Sequence, residues 1–232
     1  MRWPKSFPPL TEEQTAISDD FMKFWHQVLP RRYGVVERFN HGFAVAAAPS
    51  FPGCRTLEIG AGLGEHLAYE QLAGQDYHCV EIRETMVQDI KAKFPDVTAI
   101  VGDCQQRLPY PEARFDRILA IHVLEHLPDL PAAMKEVHRL LDPGGLFCAV
   151  IPCDPGVLYE IARKISAERI FKKRYNQPYE WFIRREHINS PEEILWVLSQ
   201  QFSVERKQFF PFRVPVSPLN LCLGLLAKKR AV

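Results

Sequence analysis

Arg55-Thr-Leu-Glu-Ile-Gly-Ala-Gly-Leu-Gly-Glu-His66 decides the fold. It opens as a short apolar run with β-branched members and breaks into three glycines, Gly60, Gly62 and Gly64, spaced one residue apart. A buried strand running straight into a glycine-rich turn marks a parallel sheet whose ligands gather at strand ends. Downstream the same rhythm repeats, with apolar runs at 77–82, 97–101, 115–121 and 146–151. Helical patterns at 65–73, 85–94 and 131–141 fall between them, the last with Ala133, Val137, Leu140 and Leu141 on one face. Asp142-Pro-Gly-Gly145 predicts a turn between that helix and the next strand. Ser190, Pro191 and Glu193 form the capping box of a further helix, and 202–210 and 221–228 read as two closing strands. Alternating strands and helices imply an α/β fold with right-handed crossovers.

Upstream, Thr11-Glu-Glu-Gln14 has capping-box form, and Ile17, Phe21, Phe24 and Val28 make one apolar stripe that Pro30 is expected to end. Local pattern leaves the role of 31–42 open. The chain has 232 residues, 47% hydrophobic and 25% charged, which are ordinary globular proportions. A formal charge of +1 excludes a global drive toward nucleic acid or acidic membranes. The six cysteines (54, 79, 104, 148, 153 and 222) form no CxxC, lie mostly in apolar runs and read as reduced, buried thiols. With no apolar leader and no run of about 20 apolar residues, the expectation is a soluble cytoplasmic protein. No zinc-ligand spacing is present, so no metal is expected.

Ligands of an open parallel sheet bind outside the carboxyl ends of its strands. The candidate site is therefore built from the segments at those ends: Glu58 to Gly64, then Glu81-Ile82-Arg83, Gly102-Asp103-Cys104, Ile121-His122, and Pro152-Cys-Asp154. The glycine loop admits two readings. A dinucleotide fingerprint, G-x-G-x-x-G, needs a third glycine where Glu65 stands. The G-x-G-x-G spacing found here, preceded by the carboxylate of Glu58, suits instead a ligand carrying an amino group and a sulfonium. A tight strand-to-helix turn with no ligand would explain the glycines but not their company, Glu81 and Asp103.

Residues 57–66, Glu81, Gly102-Asp103, Phe115-Asp-Arg-Ile-Leu-Ala-Ile-His-Val-Leu-Glu-His126 and Leu140-Leu-Asp-Pro-Gly-Gly145 together resemble the motif series of class I S-adenosylmethionine-dependent methyltransferases. The similarity is greatest to the small-molecule branch that includes quinone-biosynthesis enzymes, in which a V-L-E-H element follows the fourth strand. It covers roughly 54–152 by motif and extends to about 228 by topology.

The resemblance implies a doubly wound, Rossmann-like sheet of seven mostly parallel strands with an antiparallel last strand and helices on both faces. It also implies S-adenosylmethionine as cofactor, with S-adenosylhomocysteine as product. Glu58, Gly60, Ala61, Gly62 and Gly64 would hold the methionine moiety and Glu81 the ribose hydroxyls. Ile82, Gly102, Asp103 and Cys104 would border the remaining nucleoside, and Ile121 and His122 would floor the sulfonium.

Residues 1–53 are expected to form a helical cap, with 34–42 touching the cofactor cleft, and 54–232 the methyltransferase domain. Histidine titrates in the range a methyl acceptor's base needs. His122 is the first candidate to face the acceptor, and His187 could enter from a lid at 154–189. His126 and Glu125 read better as local hydrogen-bond partners. The lid segment carries eight Arg/Lys, five acids and interleaved aromatics, a composition suited to an anionic acceptor. The D/N-P-P-Y/F/W element of amino-methylating enzymes is missing after the fourth strand. A small-molecule or lipid/glycan-linked acceptor is therefore expected, with oxygen preferred. A non-catalytic partner subunit of the same fold, or a NAD(P)-dependent oxidoreductase, are the alternatives.

Overall fold

The computed structural model describes residues 2–32 and 34–230, the side chains of 26–32 excepted. Two helices, α1 (Glu12–Arg32) and α2 (Gly34–Ala47), precede β1 (Arg55–Ile59) and β2 (Asp76–Glu81). Next come α3 (Glu84–Lys93), β3 (Thr98–Val101), β4 (Phe115–Ile121), α4 (Leu130–Leu140) and β5 (Leu141–Pro152). Three short helices follow, α5 (Val157–Ile165), α6 (Ala167–Tyr175) and α7 (Glu180–Glu186). The chain closes with α8 (Pro191–Gln201), β6 (Phe202–Phe210) and β7 (Cys222–Lys229). The strands form one sheet in the order β3-β2-β1-β4-β5-β7-β6, with β7 antiparallel to both neighbours and the β1–β5 pairings parallel. Strand–helix alternation implies the α/β class, and the resemblance implies the doubly wound, mostly parallel sheet seen here.

Period-two alternation divides the strands between two cores. Leu57, Ile59, Ile118, Ala120, Phe147 and Ala149 pack against Leu130, Met134 and Val137 of α4 and Ile194, Val197 and Leu198 of α8. On the other face, Leu119, Cys148, Val150 and Cys222 meet Phe43, Ala44 and Ala47 of α2, while Tyr77, Cys79 and Ala99 meet Val87 and Ile90 of α3. Gly224 allows the close approach of α2: a Cβ there would lie 2.6 Å from the Phe43 ring. All six cysteines are buried and unpaired. No helix among the described residues is long and apolar enough to cross a membrane.

The structure departs from the sequence reading at three places. The helix expected at 65–73 is a single 3₁₀ turn, His66–Tyr69, after which Glu70 is extended. Glu70 is drawn inward to Arg117 (2.6 Å) and His66 (3.1 Å), a demand from β4 that overrides local propensity. Asp142-Pro-Gly-Gly145 lies within β5. Phe115 pairs with Leu141 and Arg117 with Leu146, so the tetrapeptide bulges out of the ladder, helped by Gly144 at φ +81°. Finally, α1 runs past Pro30 to Arg32. A proline near a helix end removes only one backbone bond from the ladder. The Val28 side chain lies outside the described residues.

Phe21 of α1 is 1% exposed and is surrounded by Phe171, Tyr175, Tyr179 and Phe182 from α6, α7 and the turn between them. The N-terminal helix and the segment after β5 thus share one aromatic cluster. Farther upstream, Trp3 stacks on Trp196, and Lys5 bonds Glu193 at 2.7 Å, which holds the N-terminal residues against α8.

Candidate active site

A cavity of about 410 Å³ opens at the carboxyl ends of β1, β2, β3 and β4. Of the residues that the sequence nominates for the cofactor, Glu58, Gly60, Ala61, Gly62, Glu81, Ile82, Gly102, Asp103, Cys104, Ile121 and His122 line it. Gly64 does not. It packs beneath the loop, where a Cβ would sit 3.1–3.4 Å from Leu67, Phe94 and Ile90, and its φ of +78° closes the turn. Gly60 and Gly62 are left-handed as well, at φ +65° and +57°, and a Cβ on Gly60 would lie 2.5 Å from Val123 Cγ2.

Glu81, at the end of β2, is almost wholly buried. Its Oε2 accepts the Gly62 N–H (3.1 Å) and its Oε1 the Arg83 N–H (3.1 Å). A carboxylate has about four acceptor sites, so Glu81 keeps room for two hydroxyl donors. Asp103 turns the β3 loop by accepting the backbone N–H (2.9 Å) and side-chain amide (3.0 Å) of Gln105 through Oδ1. Burial pushes the Cys104 thiol up to about 12, so it is an apolar wall and not a nucleophile. Glu58 accepts the Tyr77 hydroxyl at 2.9 Å, and burial raises its carboxyl to about 8. An ammonium beside it would favour the ionised form.

His122 sits at φ +53°, its N–H bonded to Val150 O (2.8 Å) and its Nδ1 3.1 Å from Glu125 Oε1. Burial works to lower its pKa, but the bonds to Cys222 and Glu125 outweigh it and raise the imidazole to about 10. These contacts favour the imidazolium, a donor, over the neutral ring that a general base requires. His187 stands outside the cavity lining, its Nδ1 2.8 Å from Asp154 Oδ2. His126 does line the cavity, with Nδ1 2.5 Å from Glu186 O, and burial lowers its pKa.

Met22, His66 and Glu186 also line the cavity although no sequence motif marks a role for them, and the sequence marks 34–42 only as a stretch. From that stretch Glu37, Asn40 and His41 face the cavity. Their i, i+3, i+4 spacing on the buried side of an apolar helix was the available signal. His41 continues into a buried chain: Glu37 (3.3 Å), His66 (3.3 Å), then Glu70 and Arg117. The basic residues of 154–189 behave otherwise than expected. Among the described residues none of the eight lines the cavity. Lys164, Lys172 and Arg174 pair with Glu160, Glu168 and Asp20, and Arg185 donates to Pro8 O.

The cavity therefore offers left-handed glycines with close backbone approach, a buried carboxylate with spare acceptor sites 19 residues past Gly62, and a buried acid beside the loop. That set fits S-adenosylmethionine: hydroxyl acceptors for its ribose, an acid for its ammonium and a close-packed backbone for its chain. A pyrophosphate would meet Glu58 and Glu65 instead.

Comparison with known proteins agrees. Residues 57–149 match the family described as a methyltransferase domain. The sterol 4-C-methyltransferase strm-1 of Caenorhabditis elegans is 24% identical over 61% of this chain and 48% of its own length. The ubiquinone/menaquinone biosynthesis C-methyltransferase UbiE of Shewanella sp. (strain ANA-3) is 27% identical over 59% of this chain and 57% of its own. The chain thus spans about half the length of the curated relatives it matches. A TehB-like S-adenosylmethionine-dependent methyltransferase of Corynebacterium glutamicum superposes with a TM-score of 0.63, covering 93% of this chain and 100% of that one at 17% identity, a likeness of fold. Residues 57–149 thus resemble a methyltransferase domain, and the surrounding fold is that of a solved S-adenosylmethionine-dependent methyltransferase. Among its relatives the chain is similar to the UbiE type over 59% of its length.

Proposed function

We propose that this chain transfers the methyl group of S-adenosylmethionine to a small-molecule or lipid-type acceptor bearing a hydroxyl group. The observation that carries the reading is Glu81, a buried carboxylate tied to the glycine loop, with free acceptor sites facing a cavity of about 410 Å³. In this reading Glu81 binds and orients the ribose, Glu58 neutralises the ammonium, and Gly60 to Gly62 let the backbone approach. Asp103 and Cys104 border the nucleoside. The cofactor supplies an activated methyl on a sulfonium, so the protein contributes alignment and exclusion of water. In this reading α1 and α2, within an N-terminal extension of 1–53, contribute Met22, Glu37, Asn40 and His41 to the cavity wall, and the 154–189 insertion contributes Glu186.

Two observations refine the acceptor. None of the lid's eight cations lines the cavity, which favours a neutral acceptor over an anionic one. The pairing of His122 with Glu125 favours its protonated form and weakens the case for base-assisted oxygen transfer, and relatives named as C-methyltransferases move the weight toward a carbon beside the hydroxyl. The six free, buried thiols support a reducing, cytoplasmic setting.

Calorimetry with S-adenosylhomocysteine tests the cofactor. Micromolar binding is expected, weakened by about 2–4 kcal/mol in Glu81→Ala through loss of charge-assisted hydrogen bonds. No binding by the folded protein would favour a non-catalytic partner subunit, and NADH binding in its place an oxidoreductase. Incubation with hydroquinone and sterol acceptors, followed by product NMR, then reads the methylated atom.

A further inference from the structure

Behind the wall of the cavity, two histidines and a glutamate converge from parts of the chain 61 residues apart. Glu125, His126 and His187 each bring one ligand atom within 4.8 Å of the others. The hydrogen bonds around them decide which atoms are available. His126 Nδ1 lies 2.5 Å from the Glu186 carbonyl, which only accepts, so Nδ1 carries the proton and Nε2 keeps its lone pair. That Nε2 is 3.7 Å from Glu125 Oε1. A lone pair turned toward a carboxylate is repulsive unless a cation lies between them. His187 shows the same pattern: Nδ1 donates to Asp154 Oδ2 at 2.8 Å, leaving Nε2 free.

Glu125 supplies an independent observation. Its side chain is 1% exposed, and while Oε1 takes the His122 bond, Oε2 is buried with no partner. An ionised oxygen left unsatisfied in a protein interior carries a heavy desolvation cost. The backbone holds the group together. Ile188 and Asn189 donate N–H bonds to the Glu125 carbonyl (2.9 and 3.1 Å), and the Asn189 amide bonds Leu124 O and Leu127 O (2.9 and 2.7 Å). The segment carrying His187 is thereby fastened to the segment carrying Glu125 and His126.

We infer that Glu125, His126 and His187 form a binding site for a divalent transition-metal ion, with Asp154 and the Glu186 carbonyl as the outer partners that orient the two imidazoles. Two imidazoles and one carboxylate suit zinc, manganese or iron, and suit magnesium and calcium less well because those ions prefer oxygen donors. An imidazole that donates its other N–H to a carboxylate or carbonyl is the usual arrangement of a metal-bound histidine. Three protein ligands leave coordination positions open. His126 and Glu186 belong to the cavity wall, so an acceptor oxygen in the cavity could fill one of them. Sequence spacing expected no metal, because His187 joins the other two only through the fold.

The site does not depend on the methyl-transfer reading, and its test is separate. Metal-stripped, full-length protein is titrated with Zn²⁺ and Mg²⁺ by calorimetry, with circular dichroism confirming the fold of each variant. One equivalent of Zn²⁺ should bind, more tightly than Mg²⁺. His187→Gln and Glu125→Gln should each weaken binding by roughly tenfold or more, and Asp154→Asn by about tenfold through loss of imidazole orientation. His187 is partly exposed, so its variant remains informative even if Glu125→Gln fails to fold. Absence of saturable Zn²⁺ binding by the folded protein would overturn the inference. So would unchanged affinity in His187→Gln, or tighter binding of Mg²⁺ than of Zn²⁺. S-adenosylhomocysteine binding, measured alone, shows independently whether the cofactor reading stands.

Discussion

At the scale of single residues, the site depends on a few positions where geometry forbids substitution. Gly60 combines a left-handed backbone with a wall of Val123 atoms starting 2.5 Å from where its Cβ would be. Gly60→Ala should therefore cut S-adenosylhomocysteine affinity by more than about tenfold. Adding Val123→Ala should restore only part of it, because the left-handed conformation still costs roughly 1–2 kcal/mol for an L-residue. Calorimetry on the single and double variants checks both statements. The three loop glycines look equivalent in the sequence, and the structure separates them. Gly60 and Gly62 line the cavity, whereas Gly64 faces Leu67 and α3. Spacing reports that a turn needs glycines, but the direction in which a missing side chain would have pointed depends on what packs there. His122 teaches the same lesson about charge. A histidine after a strand is legible as a candidate, yet the contacts that shift its pKa include Cys222, 100 residues away, which no local pattern shows.

Secondary-structure elements whose cause is local were the most legible. The capping box at Ser190 forms as its residues imply, with Glu193 N–H bonded to Ser190 Oγ (3.3 Å) and Ser190 N–H to Glu193 Oε2 (2.9 Å). Thr11 and Gln14 bond reciprocally in the same way. β1, β4 and β6 begin and end at the residues that the apolar alternation marks. Where a distant partner competes, as Arg117 does for Glu70, local propensity loses and a helix shrinks to one turn. The aromatic residues of 154–189 were legible as unusual, but their partner, Phe21, lies some 150 residues away along the chain. Phe21→Ala should destabilise the protein by about 3–5 kcal/mol as a large buried ring is lost. Hydrogen exchange should rise across α1, α6 and α7 before it rises in β1 or β4. Uniform acceleration across the sheet would show instead that the cluster is part of one cooperative core.

For the whole molecule, the polar chain beneath α2 couples sheet, loop and cavity. Arg117 is almost fully buried and bonds Thr56 Oγ1 (2.8 Å), Ala48 O (2.5 Å) and Glu70 (2.6 Å). Burial works to raise the pKa of Glu70, but the bonds from His66 and Arg117 prevail and bring it down to about 2. Because the folded value is depressed below the roughly 4.3 of an unfolded chain, the stabilisation is complete above that value and is lost as pH falls toward about 2. Glu70→Gln should lower stability at pH 7 by about 3 kcal/mol, since the buried guanidinium loses its counter-charge. It should also flatten the acid limb of the stability profile. Urea denaturation of both proteins between pH 7 and pH 2.5 measures the two effects together. An acid limb as steep as that of the unaltered protein would assign the pH sensitivity to other carboxylates.

The sequence by itself determined the α/β class, the strand rhythm, the glycine loop and the carboxylates at the strand ends. Those features arise from periodicity and backbone geometry, which act over a few residues. Only the tertiary structure decided which helices reach the cavity, that the lid's cations stay out of its lining, that Cys222 and Glu125 bear on the charge of His122, and that His187 meets Glu125 and His126. Each of these depends on contacts between residues tens to hundreds of positions apart, and on the low polarity of the interior that makes such contacts strong enough to set charge and conformation.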